Sequence, residues 1–344
     1  MRNPFSFFTQ EIAIDLGTAN TLVIFNDEVI IDEPSIVAMD RETNDVLAVG
    51  KRAMMMHEKT HEKIKTVRPL KDGVIADFEA AEKMIQGLID MVPSRRKFLS
   101  NLRMVICIPS GITEVEKRAV FDSAEHVGSR ETYLIQEPMA AALGIGLDVT
   151  EPIGNMIIDI GGGTTEIAVI ALAGIVCDQS IRIAGDEFNI DIIEHMRGRH
   201  DILIGERTAE QIKIHVGAAL EDLDLPPDEF SVNGRDLLSG VPKQTKVSYV
   251  EISECLDKSI AKIEEAILKA LEDTPPELAA DIYETGLHLT GGGASLRGLD
   301  KRISQKTKLS VNIADNPLRA VVRGTGIALK NAPRYSFLIT QKSL

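Results

Sequence analysis

Two aspartates, Asp15 and Asp159, each stand one residue before a glycine turn. The phrase "IAIDLGTANTLVI" at 12–24 is matched by "MIIDIGGGTTEIAVI" at 156–170, with an apolar run on both sides of each turn. A strand, a Gly/Thr turn and a second strand bring backbone N–H groups and a hydroxyl to one point, the donor set of a phosphate cradle. Gly17, Thr18, Ala19 and Asn20 make the first such turn, and Gly161, Gly162, Gly163 and Thr164 the second. Either turn taken alone reads first as an ordinary glycine-rich β-turn, and it is their duplication that points to phosphate. Asp15 and Asp159 would repel a bare triphosphate. A phosphate site containing them therefore needs a divalent cation, and hard Mg²⁺, which keeps several waters, fits.

A third glycine run, "LTGGGASLRGLD" at 289–300, precedes a helix start. Gly291, Gly292, Gly293 and Ala294 leave room for a flat base or ribose against the backbone, and the helix N-terminus favours an anion. The spacing G-x-x-x-x-G-K-S/T is absent and no G-x-G-x-x-G opens a βαβ unit, so neither a Walker loop nor a Rossmann site is supported. Glu137, in "QEPMAAALG", precedes Pro138 and on its own reads as a helix N-terminal charge. Glu210 and Lys213, three apart on a helix-like segment, share a face and on their own read as a solvated ion pair. "HEKTH" at 57–61 is a literal H-E-x-x-H, in which two imidazoles could bind zinc with Glu58 as base. Its charged flank places it on a solvated surface without a third ligand, so a zinc peptidase is not expected.

An alternating α/β framework must hold these residues. Strand patterns run over 11–15, 21–25, 104–108, 156–160, 166–171 and 286–289. Helix patterns run over 78–91, 113–127, 138–145, 187–197, 208–219, 252–272 and 296–306. In each half a strand, a Gly/Thr turn and a second strand are followed later by a strand entering another turn: "ICIPSG" (106–111) and "LTGGGASL" (289–296). This is a two-fold domain duplication, not a short-period solenoid. The 344 residues exceed what one core usually holds. The expected division is a first lobe from 1–150 and 311–344, with a small subdomain at 33–66. The second lobe covers 151–310, with a small subdomain at 183–244; both inserts are polar and charge-mixed.

With 52 acidic against 38 basic residues the net charge is -14, and no Lys/Arg block stands out, which argues against a nucleic-acid partner. Cys107, Cys177 and Cys255 sit singly without C-x-x-C spacing, as in a reducing cytosol. No apolar run reaches transmembrane length and the N-terminus lacks signal-peptide features, so a cytoplasmic protein is expected.

Taken together, IDLGTAN, QEPMAAALG, IDIGGGTTE and LTGGGASLRG resemble the actin-like ATPase superfamily, which also holds heat-shock chaperone ATPases and sugar kinases. "IDEPSIVA" (31–38), "RPLKDGVIADF" (68–78) and "GERTAEQIK" (205–213) narrow the resemblance to the MreB family of bacterial actins, over 10–332. The resemblance implies a duplicated actin-like, ribonuclease H-like ATPase fold of two lobes, with ATP and Mg²⁺ as cofactors bound between the halves. It implies that Asp15 and Asp159 hold Mg²⁺ through water and that the turns 17–20 and 161–164 grip the phosphates. Glu210 and Lys213 would reach the ribose and base, and Glu137, helped by Thr164, would position the attacking water for a slow ATP hydrolysis. Phosphoryl transfer to water is mostly positioning and charge stabilisation, so a suitably placed carboxylate suffices.

Two segments are membrane candidates. "MRNPFSFF" carries Phe5, Phe7 and Phe8 beside Arg2; "PSRRKFLSNLR" (93–103) sets Phe98 and Leu99 beside three basic residues. Each reads as an interfacial contact or as a terminus and a loop without that role. Burying two or three such side chains contributes ~2–6 kcal/mol, less than stable attachment needs. A polymer changes this, because later contacts become effectively intramolecular. By resemblance the chain forms an antiparallel double filament, with Val115 and Ala119 of helix 113–127 at the contact. It would lie on the inner face of the cytoplasmic membrane, work with cell-wall elongation proteins such as RodZ and MreC, and maintain rod shape. A chaperone-type ATPase would carry a substrate domain where only a short stretch follows Asn331. A sugar kinase would need a sugar pocket that 33–66 does not suggest.

Overall fold

The apolar run before Asp15 becomes the strand Thr9–Leu16, and the run before Asp159 the strand Asn155–Ile160, each at the middle of its own sheet. The structure, a computed structural model, describes residues 9–59, 62–93, 101–332 and 334–341. By contacts the chain divides into two units: Met1–Pro152, Ile170–Ile175 and Leu318–Leu344 form one, and Ile153–Val169 with Val176–Pro317 the other.

The two principal sheets repeat one plan. In the first unit the order is Glu28–Pro34, Asn20–Phe25, Thr9–Leu16, Asn101–Ile108, Ser129–Gln136, with Thr340–Gln341 outermost. In the second it is Gly174–Ile181, Thr165–Ala171, Asn155–Ile160, Leu287–Thr290, Val311–Ile313. Three strands consecutive in sequence are thus followed by two reached through crossovers, in both cases. The crossover strands are parallel to the Asp-bearing strand or to each other in each unit. Val311–Ile313 belongs beside Leu287–Thr290, so the chain re-enters the first unit only at Leu318.

The cores follow the strand alternation and the helix stripes. Ile12, Ile14, Val23, Met104, Ile106 and Leu134 meet Met84, Leu88 and Phe121 in the first unit. Met156, Ile158, Ile167 and Val169 meet Phe188, Ile192, Leu256 and Ile260 in the second. Thr165–Ala171 is buried at every position, which explains its apolar run from Ile167 to Ala171. Its one charge, Glu166, accepts a 2.6 Å hydrogen bond from Ser180 Oγ. The inserts form their own three-stranded sheets: Val46–Val49, Val37–Asp40 and Ile64–Val67 in one, and Ile202–Leu203, Phe230–Asp236 and Pro242–Val247 in the other.

Helix starts are set by local chemistry. Asp77 accepts from the Ala80 N–H, Thr113 and Glu116 form a capping box, and Ser248 accepts from the Glu251 N–H. Several boundaries differ from the sequence reading, and two of the shifts have a clear local cause. The helix Glu206–Val216 stops before Gly217, where a Cβ would lie 2.2 Å from the Lys213 carbonyl. Residues Gly292–Ser295 form a 3₁₀ turn, and the helix that follows is Leu299–Thr307, entered through Gly298 at φ 74. The helix Gly50–Met56 ends before His57, Glu58 has φ 60, and His57 Nδ1 lies 2.9 Å from Thr66 Oγ1. His57 and Glu58 therefore are not on a helix, and His61 falls outside the described residues. No helix among the described residues is long and apolar enough to cross a membrane.

The helix Glu137–Gly144 packs on Ala320–Lys330 at backbone distance. A Cβ at Gly144 would lie 1.8 Å from the Ala320 carbonyl, and one at Gly324 would lie 1.7 Å from that of Ala140. Only glycine permits such an approach.

Candidate phosphate-binding site

In the second unit Asp159 and Thr290 are register partners at the ends of parallel strands. Thr290 Oγ1 donates to Asp159 Oδ1 at 2.9 Å. Asp159 is 5% exposed. Burial pushes its carboxyl up to about 6, the Thr290 hydrogen bond opposing and the nearby Glu166 carboxylate adding to the rise. Gly291, at φ 80, follows Thr290 as closely as it does because a Cβ there would lie 2.3 Å from the Ile160 carbonyl and 2.5 Å from Asp159 Oδ1. At Gly293 a Cβ would lie 2.2 Å from Ile160 Cγ2. The glycine run thus first serves the close approach of 291–294 to the Asp159 strand.

The turn Gly161 to Thr164 is closed by the Gly161 N–H donating to the Thr164 carbonyl at 2.9 Å. Its Gly161 and Gly162 carbonyls accept from the N–H groups of Gly185 (3.2 Å) and Asp186 (2.8 Å), at the start of helix Gly185–His200. The turn is therefore set in shape by its own fold, the preorganisation an anion site needs. Lys213 Nζ donates to the Gly185 carbonyl at 2.8 Å and pairs with Glu210 at 2.7 Å. Asn189 Nδ2 donates to Glu210 Oε2 at 2.9 Å. Glu210 and Lys213 do share a helix face, and both are tied to the helix that holds the turn.

In the first unit Asp15, half-buried, is level with Cys107 of the parallel neighbour, and Cys107 with Ile135 beyond it. Asp15 and Glu137 therefore emerge at one edge of the sheet, two strands apart, which is about 10 Å at ordinary strand spacing. Glu137 is the first residue of helix Glu137–Gly144. The turn 17–20 is held by Ser35, whose Oγ donates to the Gly17 carbonyl (2.6 Å) and whose N–H donates to that of Ala19 (2.9 Å). Thr18 Oγ1 accepts from the Gly73 N–H at 3.0 Å. A Cβ at Gly17 would lie 2.7 Å from the Asn20 carbonyl.

Each unit thus gathers one strand-end carboxylate and one braced turn. Val115 is 80% exposed and Ala119 partly so on helix Glu114–His126. Phe5, Phe7, Phe8, Phe98 and Leu99 lie outside the described residues. Four supporting residues escaped the sequence reading: Ser35, Gly73, Gly185 and Thr290. Thr290 alone left a signal, since "LTGGG" and "DIGGG" each set a polar residue before a glycine run.

The sequence matches the profile of the MreB/Mbl protein family over residues 9–336. It is 45% identical over 325 residues to the cell shape-determining protein Mbl of Bacillus subtilis (strain 168), covering 94% of this chain and 97% of that protein. It is 46% identical over 328 residues to the cell shape-determining protein MreB of Escherichia coli (strain K12), covering 94% of each. The fold superposes on the crystal structure of MreB 5 of Spiroplasma citri bound to AMPPNP with a TM-score of 0.89 at 38% identity, covering 96% of this chain and 98% of that one. The duplicated sheets are those of the actin-like fold, and the chain belongs to the MreB/Mbl family.

Proposed function

We propose that this chain is a Mg²⁺-dependent ATPase of the bacterial cytoskeleton whose nucleotide state governs its assembly into filaments. The observation that carries the reading is Asp159, a carboxylate buried against a turn already fixed in shape. Its ionisation is costly in the protein alone and would be favoured by a cation. Carboxylate and hydroxyl oxygens are the set that suits Mg²⁺. Asp159, and Asp15 in the first unit, would hold the ion through water, and when bound it neutralises phosphate charge.

The chain's own residues do the rest. Backbone donors of the turns 17–20 and 161–164 bind phosphate oxygens, and Gly291 to Ala294, with Glu210 and Lys213, take the nucleoside. Glu137 accepts a hydrogen bond from the attacking water and orients it, with Thr164 assisting. Turnover is slow, as suits an enzyme whose product state is a signal to a polymer. The filament is an antiparallel pair with Val115 and Ala119 at the contact. It attaches through Phe5, Phe7, Phe8, Phe98 and Leu99 to the cytoplasmic face of the inner membrane. There, with elongation proteins of the RodZ and MreC kind, it directs cell-wall synthesis and cell shape. The cell-shape names of its relatives and the AMPPNP-bound neighbour support this reading.

Glu137→Gln is the test. The variant should bind a fluorescent ATP analogue with Mg²⁺ as the native chain does and lose about 10²-fold in phosphate release. Turnover within twofold of native would remove Glu137 from the reaction, and binding indifferent to Mg²⁺ would overturn the site.

A further inference from the structure

Three side chains with no part in the nucleotide reading converge at the C-terminal end of helix Gly185–His200. His195 Nε2 lies 2.7 Å and His200 Nε2 2.5 Å from the same oxygen, Oε1 of Glu251, in the first turn of helix Tyr249–Glu272. The side chains of His195, His200 and Glu251 are only 16%, 19% and 13% exposed. Among the described residues this is the one group of three His, Cys or carboxylate ligands whose donor atoms all lie within 4.8 Å of one another.

The chemistry is that of a metal centre. Two imidazoles and a carboxylate are ligands that zinc and its neighbours take, whereas Mg²⁺ prefers oxygen alone. His200 Nδ1 lies 3.2 Å from Thr245 Oγ1, and Lys243 Nζ donates to the His200 carbonyl at 2.8 Å. Outer contacts of this kind fix a metal-binding ring. With Nδ1–H donating to Thr245, His200 turns a lone pair toward Glu251, an arrangement that a cation between them satisfies.

We propose that His195, His200 and Glu251 form a binding site for a divalent transition metal, zinc by ligand type, with a fourth position left to water. Ligands at about 2.0–2.1 Å from zinc stand about 3.3 Å apart on a tetrahedron, so the carboxylate has to retreat by less than about 1 Å. Arg199 Nε, 3.8 Å from the same Oε1 on a largely exposed side chain, is a competing cation that the metal displaces. Cys255 lies one turn further along the Glu251 helix. It is not part of the group whose donor atoms lie within 4.8 Å of one another, and burial, with Asp191 and Glu251 nearby, pushes its thiol up to about 12. The metal ties Tyr249–Glu272 to the helix whose first turn holds the Gly161 and Gly162 carbonyls, and it does so whether or not that turn binds phosphate.

The test uses the full chain, stripped with chelator and titrated with Zn²⁺ against a chromophoric chelator, and in parallel with Co²⁺. The expected result is one Zn²⁺ per chain at micromolar affinity or tighter, with the visible bands of tetrahedral Co²⁺. His195→Gln and His200→Gln should each weaken binding at least about tenfold. Arg199→Gln should bind as tightly as the native chain or more tightly, and His57→Gln and Cys255→Ser should change nothing. Circular dichroism checks that each variant is folded. Absence of stoichiometric binding overturns the site and leaves a histidine–carboxylate ion pair. Binding that survives in the folded His195→Gln/His200→Gln double variant, or that disappears with His57→Gln, overturns it as well.

Discussion

Asp159 illustrates what a buried carboxylate does to the protein that carries it. Its pKa is raised from 3.8 to about 6, so the folded chain holds that proton more tightly than the unfolded chain does. Below both values there is no penalty; as pH rises from about 4 to 6 stability falls, and above 6 the loss is complete, up to about 3 kcal/mol. Asp159→Asn retains an acceptor for Thr290 and removes the charge. In thermal melts without nucleotide it should be more stable than native at pH 7.5 and indistinguishable at pH 4, while losing the stabilisation that Mg-ATP gives the native chain. A variant less stable than native at pH 7.5 would count against a burial penalty at this position. The aspartates and glycines were legible because the same Asp-x-Gly pattern stands at a strand end in both halves of the sequence. Ser35 and Gly73 were not, since each acts on the turn 17–20 from 18 and 55 residues away in sequence.

Secondary elements were legible where one period dominates. The strand Thr165–Ala171 and the helix Tyr249–Glu272 are strongly patterned, and both were placed from sequence. Ser129–Gln136 and Gly174–Ile181 were missed because polar residues fill much of each strand and leave only the short apolar stretches Tyr133–Ile135 and Ile175–Cys177; in the second strand exposed and half-buried positions alternate and none is buried. The crossing of Glu137–Gly144 with Ala320–Lys330 was equally hidden: a glycine inside a helix costs about 1 kcal/mol and signals some packing reason, without naming the partner. Gly324→Ala puts a methyl group into the Ala140 carbonyl. It should cost about 1–3 kcal/mol in denaturant unfolding. By displacing the helix that begins with Glu137 it should also lower ATP turnover more than nucleotide affinity. Equal losses in the two would mean that the crossing serves stability alone.

For the molecule entire, the duplicated sheet order was legible from two phrases some 145 residues apart, because each half repeats the same strand–turn–strand pattern. Where each unit begins and ends was not, because Val311–Ile313 joins its sheet by pairing rather than by composition. Assembly belongs to this level too. Val115→Glu adds a charge to a side chain that is 80% exposed, so folding and nucleotide binding should be unchanged while sedimentation with Mg-ATP is lost. Pelleting equal to native would take helix Glu114–His126 out of the filament contact. The first unit also has a history in time. It is made from residues up to Pro152, from Ile170–Ile175 and from Leu318 onward, and the helix that seats Glu137–Gly144 belongs to the last portion. During synthesis the second unit has all of its chain, through Pro317, outside the ribosome before that helix emerges. On the function proposed above, the nascent protein would complete the turn that grips phosphate in its second unit before it completes the seat of the helix that orients a water, so hydrolysis would be the last competence it acquires.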